Sequence, residues 1–133
     1  MRRSVALLLA IPLTLTALVG CSAPKPVCVP RITVTPGEAH AGDTVTVESS
    51  DVCEVTVPRD GWRVVISPKG DRGPSTTVTT TEAFDGSFSA EVTLPDDIPA
   101  GAALAGVENW DYSTCDDSAS CAGPYGALTI LAR

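Results

Sequence analysis

Residues 87–94 read SFSAEVTL and show the clearest alternation of apolar and polar side chains in the chain. Successive side chains of a β-strand point to opposite faces of a sheet, so a period of two indicates a strand buried on one face. The stretch therefore predicts a half-buried strand of an all-β domain. Its core-facing residues are expected to be Phe88, Ala90, Val92 and Leu94.

The same period recurs along the chain, and no stretch has a convincing helical period. Asp85-Gly86 is the strongest local hairpin signal and precedes residues 87–94 directly. Turn residues separate seven predicted strands, at residues 31–35, 43–48, 62–67, 76–84, 87–94, 102–112 and 127–131. Such a series is typical of a β-sandwich.

Apolar positions in these strands predict the core. The residues expected to face inward include Ile32, Val34, Val45, Val47, Trp62, Val64 and Ile66. The phase of residues 102–112 is ambiguous, because the pattern fits two different inward faces. One face carries Ala103, Ala105 and Val107, and the other carries Leu104 and Trp110.

The first 21 residues, MRRSVALLLAIPLTLTALVGC, differ in kind from the rest. Arg2 and Arg3 precede an uncharged apolar stretch that is shorter than the about 20 residues of a membrane-spanning helix. This pattern predicts a signal-peptide helix at residues 1–20, which precedes the domain and is removed.

The end of this segment, Leu18-Val19-Gly20-Cys21, resembles the lipobox of bacterial lipoproteins. The resemblance implies cleavage before Cys21 and a diacylglyceryl group, with acyl chains such as palmitate, on its thiol. It also implies a location at the extracytoplasmic face of the cell membrane. The alternative is an ordinary secreted protein that is cut near Ala23 and so loses Cys21.

Residues 21–30 are rich in proline and predict an extended tether to a domain at residues 31–133. The formal net charge of the chain is −7, and removal of Arg2 and Arg3 makes the mature chain more acidic. Nucleic-acid binding needs basic patches, so we expect no nucleic-acid partner. The single histidine, His40, lies in a predicted turn, and the cysteines are not spaced as metal ligands. We therefore predict no enzyme, no metal site and no cofactor.

Two segments, ITVTPGEAHAGDTVTV at residues 32–47 and DGSFSAEVTLPDDIPAG at residues 85–101, resemble immunoglobulin-like domains of bacterial, especially actinobacterial, surface proteins. The matching positions are turn glycines, prolines and apolar core residues, so the resemblance specifies fold better than activity. It implies a seven-stranded Ig-like sandwich stapled by disulfides. Two features differ from the family, because Ala103 stands where an aromatic is usual and the inter-sheet disulfide of antibody domains is absent.

Once Cys21 is assigned to the lipid, an even number of cysteines predicts a disulfide framework, and four cysteines allow three pairings. The Ig-like topology implies that all four cluster at one pole, since they flank the first two strands and lie in the loop before the last strand. We expect Cys28–Cys53 and Cys115–Cys121. The arrangement Cys28–Cys115 with Cys53–Cys121 stays open as the alternative.

The loop before the last strand concentrates aromatic and acidic residues and is the candidate binding loop. Its candidate residues are Trp110, Asp111, Tyr112, Asp116, Asp117 and Tyr125. Loops on a rigid scaffold commonly carry binding, and aromatics with acids suit a sugar or a protein side chain. The acids also offer oxygen ligands for Ca²⁺. In the alternative, Trp110 and Tyr112 pack at the edge of the core and Asp111 and Asp116 cap turns.

Together these patterns predict a membrane-anchored lipoprotein of the cell envelope with a non-catalytic Ig-like interaction module. Its expected partners are the membrane, through the lipid on Cys21, and another envelope protein, and the domain is expected to be a monomer. The alternative is an accessory lipoprotein that binds a small ligand such as a sugar, a peptide or Ca²⁺. The short tether predicts that the candidate binding loop faces the membrane or a membrane-bound partner.

Overall fold

A computed structural model describes residues 27–70, 73–113 and 122–133. These residues form eight strands and no helix: β1 (Thr33–Thr35), β2 (Glu38–His40), β3 (Thr44–Ser49), β4 (Trp62–Pro68), β5 (Thr76–Thr80), β6 (Phe88–Thr93), β7 (Gly101–Val107) and β8 (Tyr125–Leu131). The all-β class is confirmed, and the predicted count of seven strands is wrong. In the described part of the chain no helix is long and apolar enough to span a membrane. The predicted signal peptide and Cys21 lie outside the described residues.

The strands form two sheets, one in the order β1-β3-β6 and the other in the order β2-β8-β7-β4-β5. Buried residues of both sheets belong to one hydrophobic core, which makes the fold sandwich-like. Val45 of β3 lies opposite Val92 of β6, and Val47 lies opposite Ala90. All four are buried, so a slip of one residue in register would turn apolar side chains to solvent.

The inward faces predicted for the first strands and for β6 are confirmed, because each of those apolar residues is buried. In β7 the structure selects the phase with Ala103, Ala105 and Val107 inside, while Leu104 is only partly buried. The strand ends at Val107, earlier than predicted, and a turn follows it. Trp110 is buried as well, because that turn directs the chain back to the core.

The additional strand is β2, which the sequence does not reveal because three residues are too few to show a period. Only Ala39 of its three residues is buried. Pro36 has no backbone N–H with which to continue the β1 ladder, and the chain changes sheets there. The Gly37 carbonyl accepts a hydrogen bond from the Thr129 N–H at 3.0 Å, and β2 then pairs in parallel with β8.

The predicted hairpin at Asp85-Gly86 is wrong. The strand before it ends at Thr80 and pairs with β4, whereas β6 belongs to the other sheet. Asp85 instead accepts hydrogen bonds from the Ser87 N–H (3.1 Å) and hydroxyl (2.6 Å), and Gly86 has a positive φ of 97°. The same residues therefore make a local turn at the end of a crossing between the sheets.

Candidate functional site

One end of the sandwich collects most of the residues that the sequence singles out. Ser49 at the end of β3 lies opposite Phe88 at the start of β6, and Gly106 of β7 lies opposite Tyr125 at the start of β8. The Cys28–Cys53 disulfide joins the segment before β1 to the segment after β3, with Cα atoms 5.7 Å apart. This pairing is confirmed. We call this end the disulfide pole.

Backbone contacts hold both sides of the bridge. The Arg31 N–H donates to the Asp51 carboxylate at 2.6 Å, which ties the chain entering β1 to the chain leaving β3. The Cys53 N–H donates to the Phe84 carbonyl at 2.8 Å, and Val52 forms an isolated bridge with Asp85. The bridge therefore fastens the incoming chain to the segment that crosses between the sheets.

Beneath the bridge lies a cluster of four rings, which we call the aromatic cluster: Trp62, Phe84, Phe88 and Trp110. It contains both phenylalanines and both tryptophans of the chain. Phe84 is central, since it stacks on Phe88 at a centroid distance of 4.0 Å and meets Trp62 and Trp110 edge to face at 5.6 and 5.2 Å. Trp110 also stacks on Trp62 at 5.2 Å. Only 4% of Trp110 is exposed, so this candidate residue is part of the core and not of the surface.

Asn109 fixes the turn that returns Trp110 to the core, a role with no signal in the sequence beyond its being the single asparagine. Its side-chain oxygen accepts from the Arg63 N–H at 2.8 Å, and its amide donates to the Gly61 carbonyl at 3.0 Å. The Glu108 N–H donates to the Arg63 carbonyl, and the two side chains form an exposed ion pair at 2.8 Å. The turn is therefore attached to the start of β4 at several points.

Asp111 and Tyr112 are placed as expected in the alternative to a binding loop, in which tyrosine packs at the edge of the core and aspartate caps a turn. The Asp111 carboxylate accepts from the Ser113 N–H at 2.8 Å, and hydrogen bonding by Ser113 lowers the pKa of this carboxyl below its ordinary value. Tyr112 is partly buried against the core. Asp111 thus caps the local turn, and Tyr112 packs at the edge of the core.

Tyr125 is half exposed, with 50% of its surface open to solvent. Its ring lies over Gly106 and Gly123, where an added Cβ would collide with it. Tyr112 is its neighbour, and burial, together with Tyr125, raises the pKa of Tyr112 above its ordinary value. The two tyrosines form a pair in which one ring is packed and the other presents a face to solvent.

The remaining predicted site residues lie elsewhere or outside the description. Cys115, Asp116, Asp117 and Cys121 are outside the described residues. His40 is exposed at the opposite end of the sandwich, where β2 and β8 end together, and its N–H donates to Asp43 at 2.8 Å. Within residues 27–70, 73–113 and 122–133, no three His, Cys, Asp or Glu side chains are grouped as metal ligands.

Exposed apolar residues are concentrated at the disulfide pole. The large hydrophobic side chains exposed in the described residues are Val29 at 40%, Val52 at 67% and Tyr125 at 50%. Val29 and Val52 each adjoin a cysteine of the bridge, and Tyr125 begins β8 at the same end. Single exposed apolar residues are ordinary on a protein surface, and here all three lie at the disulfide pole.

Removal of the disulfide should destabilise the domain without abolishing its fold. Cys28→Ala with Cys53→Ala is expected to lower the free energy of unfolding by about 3.5 kcal/mol, because the open chain regains loop entropy. Urea unfolding followed by tryptophan fluorescence measures this. Cys28→Ala alone should cost about as much, since either change breaks the bond. A loss below about 1 kcal/mol for the double variant would contradict a stabilising role.

Stability should also decline at alkaline pH through Tyr112. Its pKa is raised in the folded state, so the native protein keeps a proton that the unfolded chain releases above about pH 10. The contribution of Tyr112 to stability is therefore present below the unfolded pKa and is lost as pH rises through the folded one. Tyr112→Phe should flatten the fall in unfolding free energy between pH 9 and about 11. An unchanged slope would contradict this.

In comparisons with known proteins, no protein-family model, no curated protein and no solved structure matches the chain. The disulfide pole combines a covalent attachment to the incoming chain, packed aromatic rings and exposed apolar residues.

Proposed function

We propose that the protein is a bacterial lipoprotein anchored through Cys21 at the extracytoplasmic face of the cell membrane. In this proposal its sandwich is a non-catalytic Ig-like module that binds another envelope protein. The basic start, the apolar stretch and the Leu18-Val19-Gly20-Cys21 box support the anchor. Two or three acyl chains hold a protein stably at a bilayer, where one chain gives only marginal attachment.

The strand order supports the Ig-like assignment. β1, β3 and β6 share one sheet and β8, β7 and β4 share the other, which is the A-B-E against G-F-C division of Ig domains. One difference is that β5 lies beside β4 and not beside β6. We therefore propose an Ig-like sandwich in which β5, the strand after β4, belongs to the five-stranded sheet and not to the sheet of β6.

The observation that carries the proposed function is the position of the exposed apolar residues relative to the tether. The chain enters the domain through Cys28, which is covalently fixed to Cys53. Seven extended steps from Cys21 to Cys28 reach roughly 20 Å. The tether therefore holds the disulfide pole, with Val52 and Tyr125, close to the bilayer.

Charge favours a protein partner over the lipid surface itself. The chain has a formal net charge of −7, so anionic headgroups repel the domain. A partner embedded in the same membrane meets the disulfide pole at short range, and apolar contacts there are not opposed by headgroup charge.

The anchor and the orientation can be tested in one bacterial expression experiment. Wild type and the control Ser22→Ala should fractionate with membranes and carry a diacylglyceryl group on the N-terminal residue, measured by mass spectrometry. Cys21→Ala should lose the lipid. A wild-type product that is soluble and unmodified at Cys21 would refute the anchor.

Orientation is read from photo-crosslinking residues placed at position 52 or at position 40. Position 52, at the disulfide pole, should crosslink to a membrane protein at least about tenfold more than position 40, at the opposite end, because the tether is short. Equal yields from the two positions would refute the placement of the disulfide pole at the membrane. Adducts with lipid alone would refute the protein partner.

A further inference from the structure

β5 is an edge strand without the features that usually protect an edge. Within residues 27–70, 73–113 and 122–133, no strand pairs with its outer side. Its sequence, TTVTT at residues 76–80, has no charge, proline or glycine. Unpaired backbone groups of an edge strand can pair with a strand of another chain. Natural edge strands usually prevent this by being short or by carrying a charged residue, a proline or a β-bulge.

The other sheet edges are protected in these ways. β1 and β2 are only three residues long. β6 is longer but carries Glu91 with an exposed side chain near its middle. Among the described strands, β5 is therefore the edge best suited to accept another strand.

The hydrogen bonds of β4 show which groups of β5 are open. The Arg63 carbonyl accepts from the Glu108 N–H, and the Lys69 N–H donates to the Ala102 carbonyl, so alternate residues of β4 from Arg63 onward point toward β7. The intervening residues point toward β5, where Val64 lies opposite Val78. Backbone direction alternates along a strand, so the N–H and C=O groups of Thr77 and Thr79 point away from the sheet.

The sequence of β5 reads the same in both directions, with Val78 at its centre. We propose that a second copy of this chain pairs antiparallel with β5, about a two-fold axis beside Val78. This register places Thr77 of each copy opposite Thr79 of the other. The two outward pairs of N–H and C=O groups in each copy then exchange four hydrogen bonds.

The side chains agree with the same register. Val78 faces the core and is only partly buried. In the dimer the two Val78 residues lie directly opposite each other as a non-hydrogen-bonded pair, so each side chain shields the other from solvent. Thr77 and Thr79 are exposed on the outer face, where cross-strand threonine pairs are favourable. The five-stranded sheets of the two copies join into one continuous sheet, in place of the expected monomer.

The palindrome is the reason to choose a second copy over an unrelated peptide. A two-fold axis places residue 77 opposite residue 79 and residue 78 opposite itself, and the palindrome makes each facing pair two identical β-branched residues, threonine with threonine and valine with valine. The contact is short and both copies are acidic, because the formal net charge of −7 for the full chain becomes more negative once Arg2 and Arg3 are removed. Association is therefore expected to be weak and to strengthen with added salt.

Crosslinking of the full chain in membranes tests the register. Val78→Cys should give a disulfide-linked dimer, because opposed Cα atoms of a non-hydrogen-bonded pair are about 4.5 Å apart. Thr79→Cys is the matched control, since its counterpart is displaced along the strand beyond about 7 Å. We expect at least about tenfold more dimer from Val78→Cys. Equal yields, or adducts with other proteins in place of the dimer, would overturn the proposal.

A second pair of variants tests the hydrogen bonds. Thr79→Pro removes an N–H that points away from β4, so the internal ladder keeps its bonds. Loss of two of the four intermolecular bonds should weaken the dimer at least about tenfold in sedimentation equilibrium. Thr79→Val keeps the N–H and a β-branched side chain, so it should weaken the dimer much less. A dimer unaffected by Thr79→Pro, or a wild-type chain that stays monomeric at high salt, would overturn the proposal. The readout does not depend on the lipid, so a failed anchor is distinguished from a failed dimer.

Discussion

The packing of Phe84 is the interaction on which the disulfide pole depends. Its ring contacts Trp62 and Trp110 of the segments around the five-stranded sheet and Phe88 of the three-stranded sheet. Its carbonyl accepts the N–H of Cys53, so the same residue joins the core to the disulfide. Buried aromatic pairs contribute beyond the area they cover, and here they connect both sheets at the end where the chain enters.

The sequence predicts individual strands of this fold better than it predicts which strands pair. Alternation identifies β3, β4 and β6 well, because a period of two with one apolar face specifies both strand and orientation. It does not specify a partner strand. Asp85-Gly86 favours a turn in any context, so it does not distinguish a hairpin from a crossing between sheets. In the crossing that the structure shows, Phe84 contacts Trp62 near one sheet and Phe88 of the other.

The candidate site also contains features that the sequence predicts and features that it does not. Pairing of Cys28 with Cys53 is what the Ig-like resemblance implies, because it makes the two strands that these residues flank neighbours, and the sequence leaves a second arrangement open. The burial of Trp110 is not predictable, since it depends on a turn held by the Asn109 side chain against the backbone of β4. Aromatic composition alone does not separate a ring that binds from a ring that packs. Gly106 and Gly123 leave room for the inner face of the Tyr125 ring, and half of this side chain stays exposed.

Anchor and dimer together restrict how the protein lies on a membrane. The two-fold axis of an antiparallel strand pair is perpendicular to the sheet, so the disulfide poles of the two copies point in opposite directions along the strands. Both tethers reach one bilayer only if this axis lies along the membrane normal and the joined sheet lies parallel to the surface. Each tether then leaves from the side of the dimer, and its reach of roughly 20 Å is enough to turn down to the bilayer. In this arrangement both ends of each sandwich lie at the same height above the bilayer. The orientation with the disulfide pole toward the membrane, and the crosslinking difference between positions 52 and 40, therefore belong to the unpaired chain and are lost on pairing.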